Sequence, residues 1–524
     1  MAGFLNVYTI SLFVALAGAL FGFDIGSVSG VVGTNQYKTF YGNPLGTTQG
    51  IITGAMAIGS VFGALSSSFL GDRYSRKLSI QAGTILWCIG ASLQAASTGI
   101  PMLIAGRAIS GLCIGLTSAL VPIYQSEIAP RKIRGRIIAF QFVAITVGIM
   151  VQYFIQYGCS FINSDASFRI PWAVQSTPSV ILFIGLFWFP YSPRWLASVD
   201  RWDEALRVLA FLRTSNKDTN DPRVLAEYRE IEEQVRSERE GGPSTYRELF
   251  SKKIRKRLFL SMAVQVWSQL AGMNVMMYYT VYLLQSAGIA HARLLAAINY
   301  IINFIMTIPC VLWTDRWGRR PSLLVGSLFM ALWFFLIGGL LVRYGQPNPV
   351  TNQPYTWILV NTPAVSGAVL AFSYCAVGTF ALTWAPISWL YPTEVAPVRV
   401  RAKSVALATA SNWAANFALG FGVPPLMRSI SWRMYFLFGG FNLAAFIHVL
   451  CALPETKLRT LEEMDEIFEH GGPLWKTFAA KGDTDRLDRL KEKDHVSLQK
   501  EEDHVSPESS HSSGSATAWP EDVP

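Results

Sequence analysis

Long apolar runs, bounded by charged or turn residues, dominate the pattern along this chain. A helix needs about 20 consecutive apolar residues to cross the ~30 Å hydrocarbon layer of a bilayer. Twelve such runs occur, at residues 8–31, 48–70, 78–97, 101–126, 137–160, 171–189, 258–288, 293–313, 322–343, 363–391, 402–427 and 433–453. The pattern therefore predicts an all-α membrane protein with twelve transmembrane helices. No basic segment precedes the first run, so we interpret it as a retained span and not a signal peptide.

A long polar segment at residues 190–257 separates the first six runs from the last six. Within it, residues 203–213 and 224–240 have the periodicity of short amphipathic helices. We therefore expect two six-helix bundles, at 1–189 and 258–453, joined by a cytoplasmic linker with short helices at 190–257. The remaining residues, 454–524, form a charged and Ser-rich cytoplasmic tail that we expect to be disordered from about residue 470.

Short motifs recur in the same order in both halves. GDRYSRK at 71–77 matches TDRWGRR at 314–320, and PIYQSEIAPRKIRGR at 122–136 matches WLYPTEVAPVRVRAK at 389–403. PYSPR at 190–194 matches PETK at 454–457. This repetition indicates that a six-span unit was duplicated.

Basic residues concentrate in alternate loops. With the N-terminus inside, the inner segments contain 37 of the 44 Lys and Arg residues, and cytoplasmic loops are the ones that retain positive charge. We therefore expect both termini in the cytoplasm. The net charge of +9 then faces anionic lipid and gives no argument for a nucleic-acid partner. The six cysteines show neither a disulfide framework nor a metal spacing, and we expect no metal and no cofactor.

Two charged residues lie well inside predicted spans, away from the span ends. Asp24 lies in the first span, where an ionised carboxylate costs about 2.5–3.5 kcal/mol on insertion scales, and Arg107 lies in the fourth. Counted at 1.5 Å per residue, both reach the outer half of the bilayer and could meet. Two interpretations stay open: a structural ion pair, or a carboxylate that loads a proton outside and releases it inside.

Polar side chains cluster in the seventh and eighth spans. They are Gln265, Ser268, Gln269, Asn274, Tyr278, Tyr279, Asn299 and Asn303. Amides offer a donor and an acceptor together, which suits a polyol, although amides also bond between helices. Trp384 and Trp389 lie in the tenth span, where Pro386 permits a kink, and Trp384 is too deep for an interfacial anchor.

Acidic and basic residues alternate at the predicted inner helix ends of both halves. We expect them to form ion pairs that close the inner side in one conformational state. The candidates are Asp72, Arg73, Arg76, Glu127, Arg134, Asp315, Arg316, Arg319, Glu394, Arg401 and Glu455.

Taken together, these motifs resemble the sugar porter family of the major facilitator superfamily, and most closely its fungal high-affinity hexose transporters. The resemblance covers residues 8–465 and rests on GFDIGSVSG, the two DR-containing loops, YQSEIAPRKIRGR, SQLAGMNVMMYY and PETK. It implies that Asp24 and Arg107 are the coupling carboxylate and its arginine. The sugar-contact positions that it implies are Gln269, Asn274, Tyr279, Asn303, Trp384 and Asn412.

Four residues depart from the family pattern. Phe142 stands in place of a binding Gln, Ser268 replaces the first Gln of a pair, Tyr191 replaces a Glu, and Ser75 replaces a loop Gly. The first two leave pentoses or other polyols open as substrates. Gln269 and Asn274 are five residues apart and would not share a face of a regular helix, so we predict a break near 271–274 that Gly272 permits.

The expected function is transport and not enzyme catalysis. We expect a proton-coupled importer of monosaccharides, hexose and possibly pentose, that works as a monomer by alternating access in a plasma membrane. Its partners would be the sugar, protons and the lipid bilayer. Two alternatives stay open: a transporter-like sugar sensor, and an uncoupled facilitative uniporter for sugars or polyols.

Overall fold

A computed structural model gives the structure of the chain at residues 7–130, 133–214, 217–240, 245–289, 291–349, 356–360 and 362–457, together with Met464 and Phe468. The part of the tail predicted to be disordered lies outside these residues. Nearly all of the described chain is helical, as the apolar runs predict.

The first half contains helices that correspond to the first six apolar runs, and a further short helix at Asn35–Phe40 lies between the first and second runs. They are α1 Val7–Val14, α2 Leu16–Val31, α3 Asn35–Phe40, α4 Thr47–Tyr74, α5 Arg76–Ala95, α6 Ile100–Ile128, α7 Arg134–Cys159, α8 Ala166–Val174 and α9 Ser176–Gly185, followed by a 3-10 turn at Leu186–Trp188. The sixth span begins at Ala166 and not at the predicted residue 171. The carbonyls of Ser164 and Asp165 accept the first helical N–H groups and so start the helix earlier.

Short helices occupy the segment between the halves, as predicted. They are α10 Pro193–Ser198, α11 Trp202–Arg213, α12 Pro222–Glu240 and a 3-10 helix at Tyr246–Phe250. The apolar face of α11 is buried through Ala205, Leu209 and Ala210.

The second half is more interrupted than the first. Its elements are α13 Arg255–Leu270, α14 Met273–Tyr278, α15 Thr280–Ser286, α16 Ala292–Trp317, α17 Arg319–Tyr344, β1 Gly345–Pro347, β2 Trp357–Leu359, α18 Pro363–Leu382, α19 Trp384–Val395, α20 Arg401–Ser429 and α21 Arg433–Ala452. The antiparallel pair of β1 with β2, with Gln346 opposite Ile358, was not predicted.

Ten helical stretches of the described chain are long and apolar enough to cross a membrane. The predicted seventh span is not among them because it is divided into α13, α14 and α15. The predicted eleventh span, α20, has 29 residues but carries buried polar side chains, Asn412 and Asn416 among them. The architecture is a helical membrane bundle, and the count of twelve stays a prediction for these two segments.

Glycines bring pairs of helices into close contact. Gly18 and Gly26 on α2 face the backbone of α7, where an added Cβ would come within 2.6 Å of the Gln141 and Ile149 carbonyl oxygens respectively. This is the packing that small-residue stripes provide between membrane helices. Asp24 lies away from this seam and faces α6, as its angular position predicts.

The duplicated loop motifs share one backbone conformation. Gly318 has φ 87° and ψ 158°. Ser75, at the matching place in the first half, has φ 94° and ψ 153°. A positive φ is strained for a residue other than glycine, and the Ser75 hydroxyl partly compensates because it accepts a hydrogen bond from the N–H of Leu78 at 3.2 Å.

Candidate functional site

Asp24 and Arg107 form a fully buried ion pair in the first half. Two guanidinium nitrogens of Arg107 lie 3.0 and 3.1 Å from the two carboxylate oxygens of Asp24. Arg107 also donates to the carbonyl oxygens of Ile52 at 2.7 Å and Thr53 at 3.3 Å. The side chains are 0% and 1% exposed, so each charge depends on the other for its stabilisation.

The predicted break in the seventh span is confirmed. Helix α13 ends at Leu270, α14 begins at Met273, and Gly272 between them has φ 87°. The break turns the chain so that the amide nitrogen of Asn274 donates to the amide oxygen of Gln269. Asn442 of α21 donates to the carbonyl of Ala271 at 3.2 Å, which satisfies a backbone group that the break sets free.

An amide cluster surrounds this break. Gln269 donates to Asn412 at 2.9 Å and accepts a hydrogen bond from Asn416 at 3.1 Å, while Asn412 donates to Gln265 at 2.5 Å. We call Gln265, Gln269, Asn274, Asn412 and Asn416 the amide cluster. The amide groups of the cluster donate and accept hydrogen bonds among themselves. A ligand with several hydroxyl groups could form an equal number of hydrogen bonds with these amides in their place. Asn416 was missed from the sequence, although its place one helical turn after Asn412 is the signal.

Three other predicted contact residues lie buried in the same half. The indole N–H of Trp384 donates to the Ser327 hydroxyl at 3.2 Å, and the Tyr279 hydroxyl donates to the Gly420 carbonyl at 3.0 Å. Asn303 is 4% exposed on α16. Helix α19 begins at Trp384, because the tenth span is interrupted at Thr383. Pro386 lies in the first turn of α19 and lacks the N–H that would continue the helix across this break.

A cavity opens between the halves on the side that carries the N-terminus of α1. Its lining comes from α2, α6 and α7 in one half and from α16 and α19 in the other, and it includes Gln141, Phe142 and Trp389. Phe21 also lines it and meets the ring of Trp413 edge-on, with the centroids 4.8 Å apart. Phe142 therefore lies on the wall of the cavity.

At the opposite end the halves are in contact. The Tyr300 hydroxyl lies 2.5 Å from the Ser29 hydroxyl of α2 and donates to the Met277 carbonyl of α14 at 2.9 Å. The Tyr282 hydroxyl donates to the Val32 carbonyl at 2.8 Å. Lys38 of α3 lies 5.8 Å from the Tyr282 ring, and burial, helped by the nearby Arg293, lowers the pKa of Lys38. The molecule is thus open at one end and closed at the other.

Comparisons with known proteins bear on what this arrangement does. The family model described as "Sugar (and other) transporter" matches residues 10–468. The chain belongs to this family of sugar transporters.

Individual relatives agree with the family. The chain is 51% identical to the MFS glucose transporter mfs1 of Aspergillus flavus, over 92% of this chain and 94% of that protein. It is 44% identical to the high-affinity glucose transporter of Kluyveromyces lactis, over 90% and 87%. It is also 34% identical to the high glucose sensor RGT2 of Saccharomyces cerevisiae, over 88% of this chain but 60% of the sensor.

A solved structure has the same fold. It is the MFS proton:xylose symporter XylE bound to 6-bromo-6-deoxy-D-glucose, with a TM-score of 0.73, 24% identity, and coverage of 88% of this chain and 99% of that one. The predicted family and the helical transporter fold are therefore confirmed, and the family is one of sugar transporters and not of enzymes.

In this sugar transporter, matching ion pairs lie at the matching loops of the two halves. Arg76 lies 3.2 Å from both Asp72 and Glu127. Arg319 lies 2.7 Å from Glu394 in the equivalent place. Glu455 accepts the backbone N–H groups of Arg319 at 3.0 Å and Arg320 at 3.1 Å.

The remaining predicted members of this network differ in their surroundings. Arg73 is exposed beside the ring of Tyr74 at 5.8 Å, and the Arg316 carbonyl accepts a hydrogen bond from Lys457 at 2.6 Å. Arg401 begins α20. The side chains of Arg134 and Asp315 lie outside the described part of the structure.

The segment between the halves of the transporter contributes a contact that the sequence did not predict. The Tyr246 hydroxyl lies 2.7 Å from the Ser68 hydroxyl of α4, while Glu248 pairs with Arg399 at 3.2 Å. One 3-10 helix therefore touches both halves. Its five residues are too short to leave a periodic signal.

Proposed function

We propose that this sugar transporter is a proton-coupled importer of monosaccharides that works by alternating access. The observation that carries the proposal is the buried pair of Asp24 and Arg107, with two contacts at 3.0 and 3.1 Å. Ionisable groups buried within membrane spans mark ion paths by default. A uniporter needs no carboxylate at this depth.

Protonation of Asp24 changes the contact between α2 and α6. The ionised carboxylate accepts two charge-assisted hydrogen bonds from Arg107, and such bonds are stronger than neutral ones. A neutral carboxyl group cannot accept both hydrogen bonds from Arg107. The guanidinium then keeps its hydrogen bonds to the carbonyl oxygens of Ile52 and Thr53 on α4. Loading a proton thus loosens α2 from α6 and favours a rearrangement of the first half.

The amide cluster supports a neutral polyol as cargo. Its donors and acceptors suit vicinal hydroxyl groups, whereas a phosphate would call for arginines and a cationic drug for carboxylates. We assign sugar contacts to Gln269, Asn274, Tyr279, Asn303, Trp384 and Asn412, with hexose as the first substrate because the relatives are named glucose transporters. The indole of Trp384 offers a face for the C–H groups of a sugar ring.

The open cavity at one end and the closed contacts at the other support alternating access. In the proposed orientation both termini are cytoplasmic, the protein lies in the plasma membrane, and the described state faces inward. Ion pairs at Arg76 and Arg319 would rearrange when the inner side closes. One chain contains both halves and the cavity, so we propose a functional monomer.

Transport assays on Asp24→Asn test the proposal. We expect wild-type cells to concentrate labelled glucose in an acidic medium and to lose this ability when a protonophore is added. Asn keeps the shape of Asp but cannot ionise, so the variant should exchange labelled for unlabelled sugar without concentrating it. Asp200→Asn, at an exposed ion pair with Arg239, is the control and should behave as wild type. Accumulation by Asp24→Asn in a proton gradient would overturn the coupling role.

A sugar sensor is the second candidate, since one relative is named a glucose sensor. Uptake in cells that lack their own sugar transporters separates the two functions. A sensor would bind sugar and accumulate none, whereas the transporter should restore growth on glucose. An uncoupled uniporter would equilibrate sugar but would not respond to the protonophore.

A further inference from the structure

Tyr278, the last residue of α14, has a buried hydroxyl group without a partner. The residue is 2% exposed, and within the described chain no atom forms a hydrogen bond with its hydroxyl oxygen. Burial of an unpaired hydroxyl disfavours the folded state, and native proteins leave few such groups. The neighbouring Tyr279 differs, because its hydroxyl donates to the Gly420 carbonyl at 3.0 Å. The unpaired hydroxyl of Tyr278 therefore calls for a functional explanation.

Helix α14 lies between the two buried sites. It packs against α2, which carries Asp24, and against α20, which carries Asn416 of the amide cluster. Asn274 and Tyr278 are four residues apart and so share one face of α14. Asn274 donates to Gln269 within the amide cluster. One face of this short helix therefore carries both a member of the amide cluster and the unpaired hydroxyl.

Groups from both sites act on the Tyr278 hydroxyl. Asp24 on α2 and Arg107 on α6 are the charged groups that interact with it electrostatically, and Tyr279 is a further titratable neighbour. The Asn416 amide lies beside the hydroxyl without forming a hydrogen bond of normal geometry. The hydroxyl thus lies between the ion pair and the amide cluster.

The ionised form of Asp24 offers no donor to Tyr278. Both carboxylate oxygens accept hydrogen bonds from Arg107, at 3.0 and 3.1 Å, and Arg107 is the charged group that faces Asp24. Tyr37 and Tyr279 are titratable neighbours of Arg107. When a proton adds to one carboxylate oxygen, that oxygen becomes an O–H donor, and the Tyr278 oxygen has lone pairs free to accept from it.

We propose that Tyr278 is the positioning residue that couples proton binding at Asp24 to sugar binding at the amide cluster. This proposal rests on the proton coupling proposed above. The incoming proton forms an O–H bond with one carboxylate oxygen of Asp24 and remains there. Tyr278 accepts a hydrogen bond from this O–H and donates its own O–H to the amide oxygen of Asn416, so the phenol neither gains nor loses a proton.

This link makes sugar binding depend on the proton. With the proton bound, Tyr278 holds the Asn416 amide in one orientation, and an amide that is already oriented loses less freedom when a sugar hydroxyl binds to it. Protonation of Asp24 therefore raises the affinity for sugar. By linkage, bound sugar raises the proton affinity of Asp24 by the same factor, which is the relation that a symporter needs.

Tyr278→Phe tests the link, because it removes the hydroxyl and keeps the ring. The dissociation constant of glucose is measured for the purified protein in acidic and in alkaline buffer, together with the melting temperature. Tyr374→Phe is the matched control. It also removes a tyrosine hydroxyl of the second half, but one on α18 that donates to the Leu295 carbonyl of α16 at 2.8 Å, apart from both sites. Sugar-dependent proton uptake by wild-type vesicles is measured alongside.

We expect the wild type and Tyr374→Phe to bind glucose about two- to tenfold more tightly in acidic than in alkaline buffer, and Tyr278→Phe to bind it equally in both. The melting temperature of Tyr278→Phe should not fall, because its hydroxyl has no partner to lose. A clear fall would show that the hydroxyl is bonded in the folded protein and would overturn the proposal.

Two further results separate this link from the proposed function. If wild-type vesicles take up no protons with sugar, the proton coupling itself fails. If they do take up protons, the role of Tyr278 alone is refuted by a pH dependence of glucose affinity in Tyr278→Phe that equals that of the wild type, or by the lack of one in the wild type.

Discussion

The two halves contain buried polar sites of opposite character. In the first half, Asp24 and Arg107 are charged, and the guanidinium has four contacts that fix it. In the second half, the amide cluster is neutral and lies around a broken helix. A buried ion pair changes its bonding only when a proton arrives, whereas amides exchange partners at little cost. The comparison indicates that the first half responds to an ion and the second to a polyol.

A short path of contacts joins the two sites. Tyr300 lies against Ser29 of α2 and donates to the Met277 carbonyl of α14, and α2 is the helix that carries Asp24. Gly33, just beyond α2, lets Val281 of α15 approach closely, with an added Cβ at 3.1 Å from that side chain. Movement of α2 after protonation would therefore reach the pieces of the broken seventh span directly.

The largest expected effect comes from breaking the charged site. Arg107→Leu leaves the buried carboxylate of Asp24 without its partner, and removal of one member of a buried ion pair costs about 3–5 kcal/mol. We expect a large fall in the melting temperature of the purified protein and no transport. Thermal unfolding in detergent, followed by tryptophan fluorescence, measures it.

The double variant Asp24→Asn with Arg107→Leu separates charge from packing. It should recover much of the lost stability, since no unpaired charge remains, but should not concentrate sugar. Arg239→Leu removes the partner of the exposed Asp200 and should leave the melting temperature unchanged. Equal losses in the single and double variants would show that packing, and not charge, dominates this site.

The next effect concerns the neutral site. Gln269→Ala or Asn274→Ala removes an amide that would bond to a sugar hydroxyl and leaves buried partners unsatisfied, at a cost of about 1–3 kcal/mol. We expect the transport efficiency, kcat/KM, to fall about tenfold or more. Initial rates of labelled glucose uptake measure this.

Variants at the neutral site and at the charged site should also differ in their effect on proton coupling. The alanine variants should keep the ratio of protons to sugar transported, because Asp24 is intact. Gln346→Ala, at an exposed amide on β1, serves as the control and should have wild-type uptake. Normal uptake in both Gln269→Ala and Asn274→Ala would place the sugar elsewhere.

Gly272→Ala tests whether the break between α13 and α14 acts as a hinge for the amide cluster. At φ 87° an alanine is strained by about 1–2 kcal/mol, and its Cβ would come within 2.9 Å of Phe334. We expect turnover to fall more than sugar binding, because the break must remain free to close on the substrate. Gly440→Ala on α21, where an added Cβ meets nothing within 4 Å, is the matched control. Equal losses of binding and turnover would argue against a hinge.

Local patterns predicted those features that depend on a few neighbouring residues. The five-residue spacing of Gln269 and Asn274, with Gly272 between them, was enough to predict the break in the helix. The depths of Asp24 and Arg107 were enough to predict that they could meet, because depth in a bilayer follows from residue count. Both predictions need only the positions of residues on a helix: the angle around its axis for the break, and the depth along it for the ion pair.

Other features depend on partners that are distant in sequence. The bond between Gln269 and Asn412 joins residues 143 positions apart, so the packing of α20 against α13 determines that Asn412, and Asn416 one turn after it, reach Gln269. Strands β1 and β2 have three residues each, too few for an alternating pattern to stand out. The linker contact of Tyr246 with Ser68 likewise depends on tertiary structure.

The smallest expected effect concerns the boundary between the two sites, at Phe142 on the cavity wall. Phe142→Gln adds a second neutral amide to the cavity wall of the first half, beside Gln141, and so gives that wall more of the chemistry found in the amide cluster. If a sugar hydroxyl reaches this wall, the new amide gains a partner worth about 0.5–1.5 kcal/mol, and sugars that differ at that hydroxyl should be favoured about two- to tenfold. Competition by unlabelled hexoses, pentoses and polyols against labelled glucose measures the change in preference.

Gln141 is already on the same wall, so Gln141→Leu provides the reverse substitution one residue away. Opposite shifts in the two variants would show that the first half takes part in choosing the sugar, whereas an unchanged competition profile in both would restrict recognition to the amide cluster and leave the first half to the proton alone.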